Sequence, residues 1–178
     1  MKYEEEYLMM YEFILNYVKN YFNAPTIREI EKASKLKSTG TVHLYLKRMQ
    51  EEGLVGLANR KIKIKGYKLE QIEKIKPCPQ KYNLKNEDQY ILMYKYIVDY
   101  IKTYFNAPTN EEIKKAIGFK TTGTVYNYLQ KMQENGLLAL ENHKIIIKGY
   151  IIVPEKAEPI PKPGVLKKAL NNKKSRKR

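Results

Sequence analysis

Two short, hydroxyl-rich turns contain the residue types best suited to binding an anion or the edge of a base. They are Ser38–Thr41 and Thr121–Thr124, each with a glycine in its third position. Serine and threonine hydroxyls can bond a phosphate oxygen or a base, and the threonine methyl can touch a thymine methyl. Glycine has no side chain and therefore permits close approach of the backbone. If a helix begins at each turn, its free amide groups also suit a phosphate oxygen.

Other reactive side chains are sparse. The chain has one cysteine, Cys78, between two prolines, and two histidines, His43 and His143. This composition excludes an internal disulfide framework and a thiolate zinc site, and leaves little material for any metal centre. There is no phosphate-cradling glycine loop, no G-x-S-x-G serine and no nucleophile beside a base. We therefore expect a protein that is not an enzyme and binds no cofactor and no metal.

The charge points to a polyanionic partner. Lys and Arg number 34 against 19 Asp and Glu, a net charge of +15 over 178 residues. Part of this excess reflects the lysine-rich usage expected of an AT-rich genome, so the placement of the charges matters more than their sum. No apolar run is long enough to span a membrane, and the acidic N-terminus is unlike a secretory signal. We expect a cytoplasmic protein, encoded by a bacterium or a phage, that makes no membrane contact.

The sequence repeats itself at an offset of 83 residues. Between Tyr11 and Tyr67, 34 of 57 positions are identical to their counterparts, and no gap is needed. YFNAPT and TGTV each occur twice. We divide the chain into a first domain, 1–70, a linker, 71–85, a second domain, 86–153, and a tail, 154–178.

The tail has nine basic and two acidic side chains after a proline-rich start. This composition predicts a disordered segment that grips DNA without sequence preference, or one that only aids solubility.

Each copy predicts three helices followed by a β-hairpin. Apolar residues at helical spacing predict the first helix, and capping boxes at Thr26 and Thr109 open a short second helix. Ser38 and Thr121 are predicted N-caps of a third helix. Two strands separated by two residues follow. The expected bounds are Leu8–Tyr21, Ile27–Ser34, Ser38–Glu52, Leu54–Ala58 and Lys61–Lys65 in the first copy, with Asn110–Ile117, Thr121–Asn135, Leu137–Glu141 and Lys144–Ile152 in the second.

This order of elements is the helix-turn-helix plan with a wing, in which the third helix enters the major groove. Ala24–Val55 and Ala107–Leu138 resemble the N-terminal DNA-binding domain of LexA-type repressors. They share Pro-Thr-x-x-Glu-Ile, a Ser/Thr-rich turn, Thr-Val-x-x-x-Leu and a Gly-Leu before the hairpin. The resemblance implies an α+β, mainly α, fold of two tandem winged helix-turn-helix domains that bind double-stranded DNA by sequence. A second copy stands where that family has a self-cleaving protease domain, so we expect no autoproteolysis.

The two predicted reading helices share their core positions and differ on the outside. Val42, Leu46 and Met49 recur at helical spacing and are identical in the second copy, whereas three outward positions have changed. The changed pairs are His43 and Tyr126, Leu44 and Asn127, and Lys47 and Gln130. We hypothesise that the copies read different half-sites of an asymmetric operator; neutral drift on solvated positions is the alternative. Asn127 is suited to bidentate contact with adenine, worth about 1–3 kcal/mol.

The resemblance places Gly40, Thr41, His43 and Leu44 against bases, together with Gly123, Thr124, Tyr126 and Asn127. The basic residues of the third helices and of the wings are expected to contact phosphates. The residues we predict to contact DNA are Ser38, Thr39, Gly40, Thr41, His43, Leu44, Lys47, Arg48, Arg60, Lys61 and Lys63 in the first copy, and Thr121, Thr122, Gly123, Thr124, Tyr126, Asn127, Gln130, Lys131, His143 and Lys144 in the second.

Three functions fit these observations: a transcriptional repressor, a plasmid or phage maintenance protein that binds an origin or transfer site, and a winged-helix module that contacts another protein. A monomer already contains two reading helices. A homodimer is also open, through a predicted exposed face of the first helix formed by Tyr3, Tyr7 and Met10.

Overall fold

The computed structural model describes residues 2–36, 38–58, 61–75, 87–142 and 144–155. The fold is of the α+β type, mainly helical, with small two-stranded antiparallel sheets. In chain order the elements are α1 (Lys2–Tyr21), α2 (Ile27–Ala33), α3 (Thr39–Glu51), β1 (Val55–Ala58), β2 (Lys61–Ile64), β3 (Tyr67–Gln71), α4 (Glu87–Tyr104), α5 (Asn110–Ile117), α6 (Thr122–Glu134), β4 (Leu138–Glu141), β5 (Lys144–Ile147) and β6 (Tyr150–Pro154).

The described residues 2–75, here the N-terminal half, and 87–155, here the C-terminal half, have the same order of elements. The predicted linker with Cys78 lies outside the described residues except at its start, and so does the tail beyond 155. The strands β3 and β6 each end one residue beyond the boundary drawn from the sequence.

Helix α1 begins at Lys2, six residues before the predicted start at Leu8. Glu4 and Glu5 lie in its first turn, where acidic side chains interact favourably with the helix dipole. The predicted exposed pairing face is wrong, because Tyr7 and Met10 are 1% and 0% exposed. They extend the buried stripe of this helix by one turn, and only Tyr3 of that trio lies in solvent.

The caps predicted for the second and third helices are confirmed, whereas the capping box predicted at Asn86 and Gln89 begins outside the described residues. Thr26 and Glu29 form a capping box at the start of α2, and Thr109 and Glu112 form one at the start of α5. Ser38 and Thr121 cap α3 and α6, as described below. These caps satisfy amide groups that a helix start otherwise leaves unpaired, so the three-helix order is fixed by local signals.

Both hairpins have the predicted two-residue turns, since Ala58 pairs with Lys61 and Glu141 with Lys144. The predicted strand Lys144–Ile152 is wrong, because it is two strands, β5 and β6, separated by Lys148 and Gly149. Gly149 has φ 77, a left-handed conformation that ends β5. The second strand then pairs with the other half of the chain.

The strands β3 and β6 form an antiparallel pair that joins the two halves. Tyr67 lies opposite Pro154, Leu69 opposite Ile152, and Gln71 opposite Tyr150. The apolar second wing was expected either to pack on another surface, such as the first copy or a second chain, or to be an ordinary strand in solvent. The pairing of β3 with β6 itself was not predicted, and it joins residues that are 79 to 87 positions apart.

The core is built from the inward faces of the helices and of the hairpins. Ile62 and Ile64 of β2, and Ile145 and Ile147 of β5, are buried and alternate with more exposed residues. Each such side chain contributes about 1.5–3 kcal/mol on burial. Both third helices are therefore anchored on one side and leave the other side in solvent.

Candidate nucleic-acid interface

The first turns of α3 and α6 have the same geometry. In α3 the Oγ of Ser38 accepts a hydrogen bond from the Thr41 amide at 3.3 Å, and the two hydroxyls lie 3.1 Å apart. In α6 the Thr121 Oγ1 accepts from the Thr124 amide at 3.3 Å, again with hydroxyls 3.1 Å apart. Ser38 and Thr121 are exposed. Each cap therefore presents two hydroxyls beside the start of a helix, where the helix dipole favours an anion.

The glycine in each turn is not required by the fold. A Cβ added to Gly40 would lie 3.6 Å from its nearest neighbour, the Oγ of Ser38, and one added to Gly123 would lie 3.7 Å from Thr121 Oγ1. Both are ordinary contacts. At Gly149, by contrast, an added Cβ would lie 2.7 Å from the carbonyl oxygen of Glu73. Without a side chain, Gly40 and Gly123 leave the outer surface of each turn open to close approach.

The predicted core stripe of the third helices is confirmed. Val42 and Met49 are 0% exposed and Leu46 is 2% exposed, and the corresponding Val125, Leu129 and Met132 are equally buried. Of the four positions that differ between α3 and α6, three lie on the solvent side of each helix, and the fourth, Arg48 and Lys131, is half-buried. His43, Leu44, Lys47, Tyr126, Asn127 and Gln130 are all exposed.

This outer face includes apolar side chains without cover among the described residues. Leu44 is 65% exposed and Tyr126 is 50% exposed. The Gln130 amide donates to the Tyr126 hydroxyl at 3.1 Å, which orders the face of α6 one turn into the helix. Thr39 and Thr122 complete the first turns, and Lys131 lies 6.0 Å from the centre of the Tyr128 ring.

Arg48 is held against the body of the protein. Its Nε lies 3.0 Å from Glu52 Oε1, and its guanidinium lies 5.2 Å from the centre of the Tyr7 ring. The Tyr7 hydroxyl donates to the other oxygen of Glu52 at 2.6 Å, and burial and this bond both raise the Tyr7 pKa. The predicted contact of Arg48 with a phosphate would require this arrangement to open.

Lys61, predicted to contact DNA, reaches the opposite half in this structure. Its Nζ donates to the Tyr100 hydroxyl at 2.6 Å and to Glu112 at 3.1 Å, while the Tyr100 hydroxyl donates to Glu112 at 2.7 Å. Burial disfavours the charged forms of both side chains, but their hydrogen bonds outweigh this effect. The pKa of Lys61 is therefore raised. Hydrogen bonds from Thr109, Tyr100 and Lys61 lower the pKa of Glu112 to about 2.

Lys144 makes the equivalent contact in the reverse direction. Its Nζ donates to the Tyr17 hydroxyl and lies 3.5 Å from Glu29, and Tyr17 donates to Glu29 at 2.6 Å. Burial lowers the pKa of Lys144, whereas at Lys61 hydrogen bonds outweigh burial and the pKa is raised. The Nζ of Lys144 also lies farther from its carboxylate partner, at 3.5 Å, than the Nζ of Lys61 does, at 3.1 Å. Contact of either lysine with DNA would require these interactions to break.

Four lysines surround a cleft of about 460 Å³ beside the first hairpin: Lys63, Lys65, Lys68 and Lys102. Lys63 is one of the residues predicted to contact DNA, and its Nζ lies 5.8 Å from the centre of the Phe105 ring. Sequence reasoning missed Lys68 and Lys102. Lys68 belongs to the unpredicted strand β3, and Lys102 comes from the opposite half, so no local pattern connects it to the wing. The equivalent positions on the other side are Ile146, Lys148, Ile151 and Lys19.

Arg60 and His143, also predicted to contact DNA, lie outside the described residues. Within those that are described, no three His, Cys, Asp or Glu side chains come together as a metal-binding group. Helices long and apolar enough to cross a membrane are likewise absent from the described ranges.

Comparison with known proteins assigns the segment that contains α3. Residues 8–63 match the LexA DNA binding domain. The matched LexA-type segment runs from α1 into β2 and includes the Ser38–Thr41 turn with the outward residues of α3. The corresponding residues of the C-terminal half lie outside that match.

The curated relatives are LexA repressors. Those of Clostridium perfringens strain 13 and Clostridium tetani are 44% identical over 46 residues, and that of Clostridium botulinum strain Hall is 46% identical over 46 residues. Each alignment covers 26% of this chain and 23% of the relative. The chain thus spans about a quarter of the length of these LexA repressors. No solved structure matches.

Proposed function

We propose that this protein binds double-stranded DNA by sequence and acts as a transcriptional repressor. The observation that carries the proposal is the position of the LexA-type match, residues 8–63, over a helix with an exposed outer face. Its first turn combines two hydroxyls with a glycine that the fold does not need. That combination suits a helix lying in the major groove with its N-terminal turn against bases and phosphates.

We extend the proposal to the C-terminal half and treat the chain as a tandem duplication of one winged helix-turn-helix domain. Support comes from 34 identities in 57 positions and from equal geometry at Ser38 and Thr121. The outward residues of α3 and α6 differ while the buried ones agree. The proposed site is therefore bipartite, with two unequal half-sites read by one chain.

The proposal needs no catalytic step and no cofactor or metal. Covering a promoter is sufficient for repression, and the exposed residues offer hydrogen bonds, apolar contact and positive charge to the duplex. We place the protein in the cytoplasm of a bacterium, encoded by the chromosome, a plasmid or a phage, and bound to the nucleoid.

Selection from random duplexes with the full chain tests the proposal. We expect one enriched bipartite site, bound about a thousandfold or more tighter than random duplex at physiological salt. Equal affinity for all duplexes would contradict it and favour a protein-contacting module. The genomic position of the site decides the biological role. Promoters support a repressor, whereas an iterated array at an origin or transfer site supports a maintenance protein.

A further inference from the structure

Several contacts between the halves come in pairs related by the 83-residue offset, in both directions. The pairing of Tyr67 with Pro154 and of Gln71 with Tyr150 is one such pair. The Ile72 amide donates to the Gly149 carbonyl at 2.8 Å, and the equivalent amide of Glu155 donates to Gly66 at 2.8 Å. The two halves are therefore arranged about an approximate two-fold axis that passes between β3 and β6.

The side chains follow the same relation. Lys61 reaches across to Tyr100 and Glu112, and Lys144 reaches back to the residues equivalent to these, as described above. The backbone of each lysine lies in a hairpin next to a third helix. The carboxylate that it contacts lies at the start of a second helix of the opposite half. Each cluster thus ties the hairpin of one half to the helix-turn-helix of the other.

We propose that Lys61 and Lys144 are positioning residues that, with the β3–β6 pair, hold α3 and α6 at one fixed separation, so that the chain selects the spacing between two half-sites. This inference rests on the proposed function. It gives the two lysines a role in specificity that requires no contact with a base.

The physical reason is the geometry of the duplex. Inserting one base pair moves a half-site by about 3.4 Å and turns it by about 35° around the helix axis. Two domains on a flexible tether follow such a change at small cost, because the tether samples many separations. Domains joined by a strand pair and by two partly buried lysine–tyrosine–glutamate clusters cannot change their separation without breaking these contacts. The interface therefore converts a shift in spacing into a loss of affinity.

The binding test uses full-length protein and duplexes that contain the two selected half-sites at the selected spacing and at one to five base pairs above and below it. We expect affinity to fall by about tenfold or more at one base pair from the optimum, since one helix then loses its base contacts. With Lys61→Ala and Lys144→Ala together, we expect a broader profile, in which affinity at one base pair from the optimum falls by less than about threefold relative to the variant's own best spacing.

A matched control removes two other lysines from the same hairpins. Lys65 and Lys148 are equivalent to one another and exposed. Their double substitution by alanine removes the same charge, and we expect it to lower affinity at every spacing alike without widening the profile. A second variant, Tyr17→Phe with Tyr100→Phe, removes only the two hydroxyls that Lys61 and Lys144 contact. It tests the same clusters in case the lysine variant does not fold.

A measurement without DNA separates this inference from the proposed function. Spin labels at positions 44 and 127, which are exposed, report the separation of α3 and α6 in a Cys78→Ser background. We expect a single narrow distance distribution in the parent protein and a broad one in the lysine variant. Broad distances in the parent, or a spacing profile that the lysine variant leaves unchanged, overturn the inference. Failure to select any DNA site overturns the proposed function while narrow distances still support the fixed geometry.

Discussion

The side-chain amide of Asn106 accepts a hydrogen bond from the backbone N–H of Ala24 in the opposite half, at 2.8 Å. The same amide donates to the carbonyl oxygen of Ile62 at 3.1 Å, and Asn106 is 2% exposed. One buried side chain therefore satisfies two backbone groups of the N-terminal half. This contact is independent of the lysine clusters and lies beside them.

We expect Asn106→Ala to lower the free energy of unfolding by about 2–4 kcal/mol. The substitution leaves two backbone groups without partners at a buried site, and each costs about 1–3 kcal/mol. Urea unfolding followed by circular dichroism measures the change. Asn23, the equivalent residue, is less buried and makes no such pair of bonds among the described residues, so Asn23→Ala is the control. Equal losses in the two variants would contradict the assignment.

Gly40→Ala with Gly123→Ala separates DNA contact from folding. Neither added methyl group meets a close neighbour, so we expect the free energy of unfolding to stay the same or to rise by up to about 1 kcal/mol. Specific affinity, measured by fluorescence anisotropy on the selected duplex, should fall, because the methyl groups block close approach of the helix.

Gly53→Ala is the control for the variant with Gly40→Ala and Gly123→Ala, and the opposite result is expected for it. Gly53 has φ 75, a conformation that costs other residues about 1–2 kcal/mol. We expect it to lower stability while the folded fraction keeps its affinity. An unchanged affinity in the Gly40 and Gly123 variant would exclude close docking of these turns.

Exchange of the outward residues tests whether the halves read different sequences. His43→Tyr, Leu44→Asn and Lys47→Gln give α3 the outward residues of α6. We expect the selected site to become symmetric, with two copies of the half-site read by α6. Stability should change by less than about 0.5 kcal/mol for each substitution, because all three side chains are exposed.

The reciprocal exchange, Tyr126→His, Asn127→Leu and Gln130→Lys, should give the other symmetric site. If both variants still select the parent site, neutral drift at these positions is the better explanation.

Acid should weaken the protein through Glu112. Its folded pKa of about 2 lies below the ordinary value of 4.5, because hydrogen bonds stabilise the carboxylate against burial. The stabilisation is therefore complete above pH 4.5 and is lost as the pH falls from there toward 2. We expect Glu112→Gln to reduce the decline in stability across that range, measured by urea unfolding at each pH. Glu111→Gln removes the same charge from the same helix without touching Lys61, and should leave the decline in place.

The lysine cleft should contribute through phosphates. Lys65→Gln with Lys68→Gln removes two exposed charges from it, and we expect the slope of log affinity against log salt to become shallower by up to about 1.8. Sequence preference should not change. The control is Lys74→Gln with Lys95→Gln, two exposed lysines away from the cleft. An equal change of slope in both variants would show a general effect of net charge.

Local sequence signals account for most of the elements. The capping boxes at Thr26 and Thr109 and the caps at Ser38 and Thr121 were predicted because each depends on residues within one turn. The buried stripe of the third helices follows from helical periodicity alone. The start of α1 was missed because Glu4 and Glu5 look like a solvated run, although Tyr7 beneath them is buried.

The relation between the halves was beyond local reasoning. An 83-residue repeat establishes that two similar segments exist, but it contains no information on which faces meet. Strand β3 has no partner nearby in the chain, and the contacts of Lys61 arise only once α4 and α5 lie against the hairpin. The DNA-contacting residues stay predictions, to be tested by the variants above.

The pairing of β3 with β6 also bears on how the protein responds to dilution. The two halves belong to one polypeptide, so they meet at an effective concentration on the order of millimolar, whatever the number of molecules in the cell. A repressor assembled from separate subunits dissociates at low protein concentration, and each subunit then has only one DNA-binding domain. If one chain reads the proposed bipartite site, occupancy of an operator should follow protein level along a simple hyperbola, and even at a few copies per cell both halves should reach the operator together.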